Sequence, residues 1–163
     1  MKKIILFTLC FIMLASLCAC ADQPKDEKDA YKLNLDGTTV AIHDDFAVIS
    51  QKLGTHLNYD ESPSCGYDGL DKTYTYAHLE IQTYPKDGKE YINFILLLDD
   101  TYGTAEGIFI GDDAEKVKNV YGEPTEELAN GNMRYEQGSM RLDFLMKNGK
   151  VNKIQYANPD GTN

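Results

Sequence analysis

The chain carries one physical pattern twice, and that recurrence limits what it can fold into. "TTVAIHDDFAVISQKLGTH" covers 38–56 and "AEGIFIGDDAEKVKNVYGEP" covers 105–124. A shift of 68 lays Val40 on Ile108, Ile42 on Ile110 and Asp44-Asp45 on Asp112-Asp113. Phe46, Ile49 and Leu53 then fall on Ala114, Val117 and Tyr121, and Gly54 falls on Gly122. Each copy reads as a short strand, an Asp cap, a short helix and a glycine stop. The apolar residues sit at i, i+3 and i+7, on one helix face. Asp44 and Asp112 are expected to accept from the orphan N–H groups of the first turn. Asp112 with Glu115 has the spacing of a capping box. Gly54 and Gly122 suit a helix C-terminus, and Pro124 blocks continuation.

Strand signals follow both helices. "KTYTYAHLEIQTY", 72–84, alternates as one strand. Thr75, Ala77, Leu79, Ile81 and Thr83 would share one face, and Tyr74, Tyr76, His78, Glu80, Gln82 and Tyr84 the other. "PKDGK" at 85–89 has turn chemistry. "EYINFILLLD" at 90–99 is apolar on both faces and reads as a central, covered strand. In "NMRYEQGSMRLDFLMKNGKVNKIQYA", 132–157, three strands are separated by turns at "EQGS" and "KNGK". "KLNLDGTTVAI" precedes the first helix as a strand or hairpin. The expected class is α+β: two strand–helix–β-meander repeats, 31–100 and 101–157, with short helices packed on antiparallel sheet. Residues 158–163 form a C-terminal tail.

The first 30 residues are of another kind. Lys2 and Lys3 precede an apolar run from Ile4 to Leu17, and the chain turns charged after Ala21. That run has the length of a signal-peptide core and falls short of the roughly 20 residues a spanning helix needs. Leu17-Cys18-Ala19-Cys20 resembles the lipobox of bacterial lipoproteins: an aliphatic residue, a tolerant position, a small residue, then Cys. The resemblance implies cleavage between Ala19 and Cys20 and a diacylglycerol on the Cys20 thiol, with 1–19 as the signal peptide. An ordinary cleaved secretory signal is the alternative. Residues 20–30 contain no large apolar side chain and read as a solvated tether.

Without 1–19 the chain keeps 144 residues, with 14 basic against 26 acidic side chains, a net charge of −12. That excludes a nucleic-acid partner and disfavours direct contact with an anionic bilayer, so the expected membrane partner acts through the lipid on Cys20. On the lipoprotein reading Cys65 is the one cysteine left, and no internal disulfide forms. No cation or helix start adjoins it, so it is expected to be a tucked-in small hydrophobe.

The pattern Ile110-Gly111-Asp112-Asp113, Val117, Tyr121-Gly122, Pro124 resembles the repeat of the beta-lactamase inhibitor protein and the BamE/SmpA envelope lipoprotein domain. Residues 64–92 resemble a stretch found in uncharacterised lipoproteins of clostridia-like bacteria. These resemblances imply a fold and no chemistry. The first copy departs from them with His43 for Gly and no proline after Gly54.

His43, His56 and His78 lack metal-ligand spacing, so no metal or cofactor is expected. Ser50, Ser62, Ser64 and Ser139 sit in no nucleophile-elbow context. The acidic pairs at 44–45, 99–100 and 112–113 lack EF-hand spacing. Tyrosine is the suggestive residue. All 11 lie after the leader, and Tyr74, Tyr76, His78, Glu80 and Tyr84 form the expected binding face on one strand. The expected function is a membrane-anchored extracytoplasmic lipoprotein acting as a non-catalytic protein- or peptide-binding or envelope-accessory module. Its partner is an envelope or extracellular protein. A small enzyme or ligand sensor with a cleft between the repeats is the alternative.

Overall fold

A computed structural model describes residues 31–159; the expected signal peptide and tether, with Cys20, lie outside the described residues. Eleven strands and two helices follow in the order β1 (Leu33–Leu35), β2 (Thr38–Val40), α1 (Phe46–Leu53), β3 (Asn58–Pro63), β4 (Leu70–Thr75), β5 (Leu79–Lys86), β6 (Lys89–Leu97). The second half gives β7 (Gly103–Thr104), α2 (Ala114–Tyr121), β8 (Glu126–Glu127), β9 (Met133–Gln137), β10 (Met140–Lys147), β11 (Lys150–Ala157). The class is α+β with antiparallel sheets.

Eight strands form one sheet in the order β3-β4-β5-β6-β11-β10-β9-β8, and β2-β1-β7 form a small second sheet. Each four-strand run follows its own helix, and the runs meet where β6 pairs with β11 (Leu97 opposite Ile154, Ile95 opposite Tyr156). Turn chemistry explains the hairpins. Asp36-Gly37, Asp87-Gly88 and Asn148-Gly149 all hold positive φ at both residues, the geometry that matches strand twist in a two-residue turn.

One face of the large sheet carries the core: Leu79, Ile81, Ile92, Ile95, Leu97, Ile154, Tyr156, Leu142, Phe144 and Met133 are all buried there. The helices and the small sheet pack on that face. Phe46 and Ile49 of α1, Val117 of α2, and Leu33, Leu35 and Val40 belong to the same apolar cluster. The Tyr156 hydroxyl donates to the Lys32 carbonyl at 3.1 Å, tying the small sheet to the centre of the large one.

Six expectations need correction. The N-caps are Asp45 and Asp113, one residue later than expected. Asp44 and Asp112 bond backwards instead: each Oδ2 accepts at 2.8 Å, from the N–H of Ala41 and of Phe109. No capping box forms: with Asp113 as the N-cap Glu115 falls at the second helical position, and the Asp113 side chain makes no cap bond, while Asp112 takes Lys116 at 2.7 Å. The strand expected at Ile108 and Ile110 does not form; the short strand before α2 is β7, Gly103–Thr104, and Ile108 is buried outside any strand. The stretch 72–84 is two strands, with the turn closed by the Tyr76 N–H donating to the Leu79 carbonyl at 2.8 Å. Strand β6 is central, yet its second apolar face is not fully covered: Phe94 and Leu96 are half-buried. A register shift pairs Gln82 with Phe94 but Thr83 with Ile92, leaving Asn93 as the extra residue. That bulge flips the alternation midway, so Ile92 faces the core together with Ile95 and Leu97. Finally, Cys65 is exposed; it sits in the loop between β3 and β4, where no core reaches.

The glycine stops hold. Gly54 and Gly122 have φ of 73° and 79°, and their N–H groups close the helices on Ser50 and Lys118. His43, at φ 72°, takes the conformation that Gly111 takes at φ 97° in the second half, which costs a side-chain-bearing residue strain that glycine avoids.

Candidate functional site

The turn at 76–79 decides where the expected binding residues go. In a two-residue hairpin, odd positions on one strand oppose even positions on the other; here Tyr74 faces Ile81 and Thr75 faces Glu80. Tyr74 therefore points to the core side and lies under α1. Tyr76 joins it there, buried. Glu80 is on the far face, opposite Thr75. Tyr84 also lies beyond the bulge on the far face, where Tyr67 stacks on it at 4.6 Å and its hydroxyl is 3.0 Å from His43 Nδ1. His78 sits in the turn itself. The five residues do not share a face, and the structure brings together only Tyr74 and Tyr76.

What gathers around those two is an aromatic cluster that the sequence pattern does not announce. Phe46 opens α1 and packs on Tyr74 at 4.5 Å between ring centroids. His56, just past the glycine stop, reaches Tyr74 at 5.4 Å, Tyr76 at 6.3 Å and Tyr59 at 5.8 Å. Tyr59, on edge strand β3 opposite Tyr74, lies 5.2 Å from it. These edge and tilted geometries are the ones aromatic quadrupoles favour.

The cluster walls a cleft of about 660 Å³ between α1 and the strands beneath, within the roughly 300–1,000 Å³ of small-ligand sites. Its lining runs from Asp45 to Glu90, so the cleft lies inside the first half and not between the halves. Ser50 and Gln51 line it from the helix, His56, Tyr74 and Tyr76 from the aromatic side, and Gly88, Lys89 and Glu90 from the β5–β6 hairpin.

The charges at the cleft neutralise one another. Asp45 Oδ2 accepts from Lys89 at 2.8 Å, while its Oδ1 caps α1 through the Ala47 N–H at 3.0 Å. The Lys89 bond, then the capping bond, hold the Asp45 carboxyl below its usual range, and the same ion pair raises Lys89. Glu90 is bound by Lys72, by the Tyr74 hydroxyl at 2.9 Å and by Thr83 at 3.4 Å. Burial, then the bond to Glu90, push the Tyr74 phenol up. Burial raises Tyr76 as well. The bond to Glu61 lifts Tyr59 to about 12, so these phenols stay protonated at neutral pH.

Three polar groups of the lining are left over. Among the described residues nothing hydrogen-bonds the Tyr76 hydroxyl, the Gln51 amide or the nitrogens of His56. The Tyr76 oxygen is also not among the buried unpartnered atoms, so it meets the open space of the cleft.

A second polar cluster lies in the turn after β4. His78 Nδ1 is 2.7 Å from Asp99 Oδ2 and 3.1 Å from Thr101 Oγ1. The His78 bond, followed by bonds from Thr101, lowers the Asp99 carboxyl to about 2. Both contacts use the same ring nitrogen, so no hydroxyl is positioned for activation on the other one among the described residues. Cys65 and Asp71 meet at a smaller polar recess of about 200 Å³. Among the described residues no set of three or more His, Cys, Asp or Glu side chains is arranged to hold a metal, and no helix is long and apolar enough to cross a membrane.

Compared with protein-family models, curated proteins and solved structures, the chain matches none.

Proposed function

We propose that this chain is an extracytoplasmic lipoprotein, anchored by a lipid on Cys20, that binds a partner without transforming it. The partner class is a protein, peptide or other component of the cell envelope, and the contact is made at the cleft beneath α1. The observation that carries this reading is the aromatic cleft itself: rigid rings, charges already paired, and three polar groups unused. Those features suit recognition. They do not suit catalysis, because Glu90 accepts three bonds and Asp45 is committed to its cap and to Lys89, which leaves neither carboxylate free as acid or base.

The anchoring part rests on Leu17-Cys18-Ala19-Cys20. Two or three acyl chains at roughly 0.8 kcal/mol per methylene hold firmly where one does not. We also read the two halves as copies of one unit, in keeping with the resemblance to the beta-lactamase inhibitor repeat and the BamE/SmpA domain. Support comes from helix-then-four-strands in both halves, and from Lys89–Asp45 and Lys150–Asp113, each 2.8 Å, clasping the two helix starts to the turns.

Two experiments test the proposal. Cys20→Ala should leave the precursor uncleaved and unlipidated; mature, membrane-bound protein in that variant would refute the anchor. A photo-crosslinker at Gln51 should capture an envelope component in intact cells, and one at exposed Glu136 should not. Equal capture from both positions, or loss from neither Tyr74→Ala nor Tyr76→Ala, would remove the cleft as the site. The alternative, a small enzyme or ligand sensor, draws on the His78–Asp99 pair. Turnover of any ester or amide substrate that stops in Asp99→Asn would favour it.

A further inference from the structure

We propose that the cleft beneath α1 binds an uncharged pyranose unit of an oligosaccharide. This rests on the reading of the cleft as the binding site and goes on to name what enters it.

The argument begins with charge. A site for a cation or an anion leaves an opposite charge unpaired, because burying a charged ligand without a partner is costly. Here the two carboxylates and the nearest lysines are spent on each other: Asp45 on Lys89, and Glu90 on Lys72, Tyr74 and Thr83. Neither a basic nor an acidic ligand finds a free counter-charge.

The unspent groups then define the ligand. The Tyr76 hydroxyl and the Gln51 amide each both donate and accept, and the His56 ring brings two further nitrogens. Groups of that kind are satisfied best by ligand groups that also do both, and a ring of hydroxyls presents several within one side chain's reach. Tyr76 is buried while Gln51 and His56 are exposed at the mouth, so a ligand lacking such groups would strand the Tyr76 hydroxyl as it displaced water, at a cost.

Shape agrees with this. Phe46, Tyr74 and Tyr76 supply flat apolar surface, and a pyranose has an apolar C–H face that lies on such a surface while its hydroxyls point outward. The His56 edge-on contact with Tyr76, 6.3 Å at 90°, places the imidazole at the rim, where it can meet a hydroxyl of a ring resting on the tyrosines. The cleft is open and not enclosed on all sides, which suits a unit within a longer chain.

The test uses the full chain in a detergent without a sugar headgroup. Saturation-transfer NMR and calorimetry would be run with maltotriose, cellotriose and tri-N-acetylchitotriose. At least one should bind and contact tyrosine ring protons. Tyr76→Phe, which removes only the hydroxyl, should weaken it about three- to tenfold, the equivalent of one neutral hydrogen bond. Gln51→Ala should do the same, and both variants should keep the parent melting temperature. Binding that neither variant weakens would overturn the assignment. If a tripeptide such as acetyl-Lys-Tyr-Lys binds and is weakened by the same variants while no sugar binds, the ligand class falls and the cleft stands as the site. If neither sugars nor peptide bind, both readings fall together.

Discussion

Phe46→Ala removes the ring that anchors α1 and forms one wall of the cleft. Phe46 is 5 % exposed and packs on Tyr74 at 4.5 Å. A buried aromatic ring removes about 150–250 Å² from water, and at about 25 cal/mol/Å² that is ~4–6 kcal/mol before the remaining Cβ is subtracted. The ring pair adds about 0.5–1.5 kcal/mol. Two effects work the other way. Extended-chain areas overstate burial, and the space left adjoins an open cleft, so water and neighbouring side chains occupy part of it. The expected loss is therefore ~3 kcal/mol, the low end of the range for Phe→Ala. In urea titration followed by circular dichroism, the midpoint should fall with the slope unchanged, and the melting temperature should drop by about 10 °C. Val48→Ala is the control on the same helix: Val48 is 59 % exposed, and the change should stay within about 0.5 kcal/mol. A Phe46→Ala loss under about 1 kcal/mol, or one equalled by Val48→Ala, would refute the packing of α1 on β4. The second half makes the result informative, since Ala114 stands where Phe46 stands in the first and α2 relies on Val117 instead.

Other predictions follow from single contacts. Asp99, held at about 2 by His78, has its folded carboxyl below the ordinary value near 4. Its contribution is present above about pH 4 and is lost as pH falls from there toward 2. Asp99→Asn should flatten that stretch of the acid-unfolding curve, and parallel curves for the two proteins would disprove the pairing. Cys65 is exposed, so iodoacetamide should label the native protein as quickly as the urea-unfolded one; slow native labelling would return the thiol to the interior. A Cβ on Gly103 would lie 2.7 Å from the Phe109 ring and 2.8 Å from the Ile108 carbonyl. Gly103→Ala should thus cost about 1–3 kcal/mol in denaturant titration, and a neutral effect would show that the β7 turn can shift.

Local chemistry was the readable part of this chain. The Asp-Gly and Asn-Gly pairs, the glycine stops and the i, i+3 faces each state a backbone requirement within a few residues, and each landed. The parity of 72–84 did not, because the turn at Ala77-His78 contains no Gly, Pro, Asn or Asp to mark it. Length was the available warning: a strand over 72–84 exceeds the usual three to ten residues. Strand β3 was missed because Pro63, Asp60 and Glu61 have poor strand propensity; an edge position tolerates them. The caps slipped by one residue because adjacent aspartates offer two equal candidates, and only the bonds that Asp44 and Asp112 make three residues back, to Ala41 and Phe109, separate them. The cleft was invisible for a different reason. Phe46, His56, Tyr74 and Glu90 come from four separate elements, and no spacing along the chain encodes their meeting. Their hydrophobicity was legible, but not which of them would keep a hydroxyl or an amide unspent.

The two borders of the large sheet are unequal. At one end β8 is two residues long; at the other, β3 presents six exposed residues. If two copies of the protein approached border to border, antiparallel, with β3 centred on β3, Asp60 of one would stand against Glu61 of the other on both sides of the axis. Like charges in facing positions destabilise such a pairing, and Pro63 withholds a donor from it. Molecules held on a common surface collide far more often than molecules in solution, so an unguarded border would seed ribbons of sheet growing sideways through the layer. The acidic border disfavours that pairing however densely the copies are crowded.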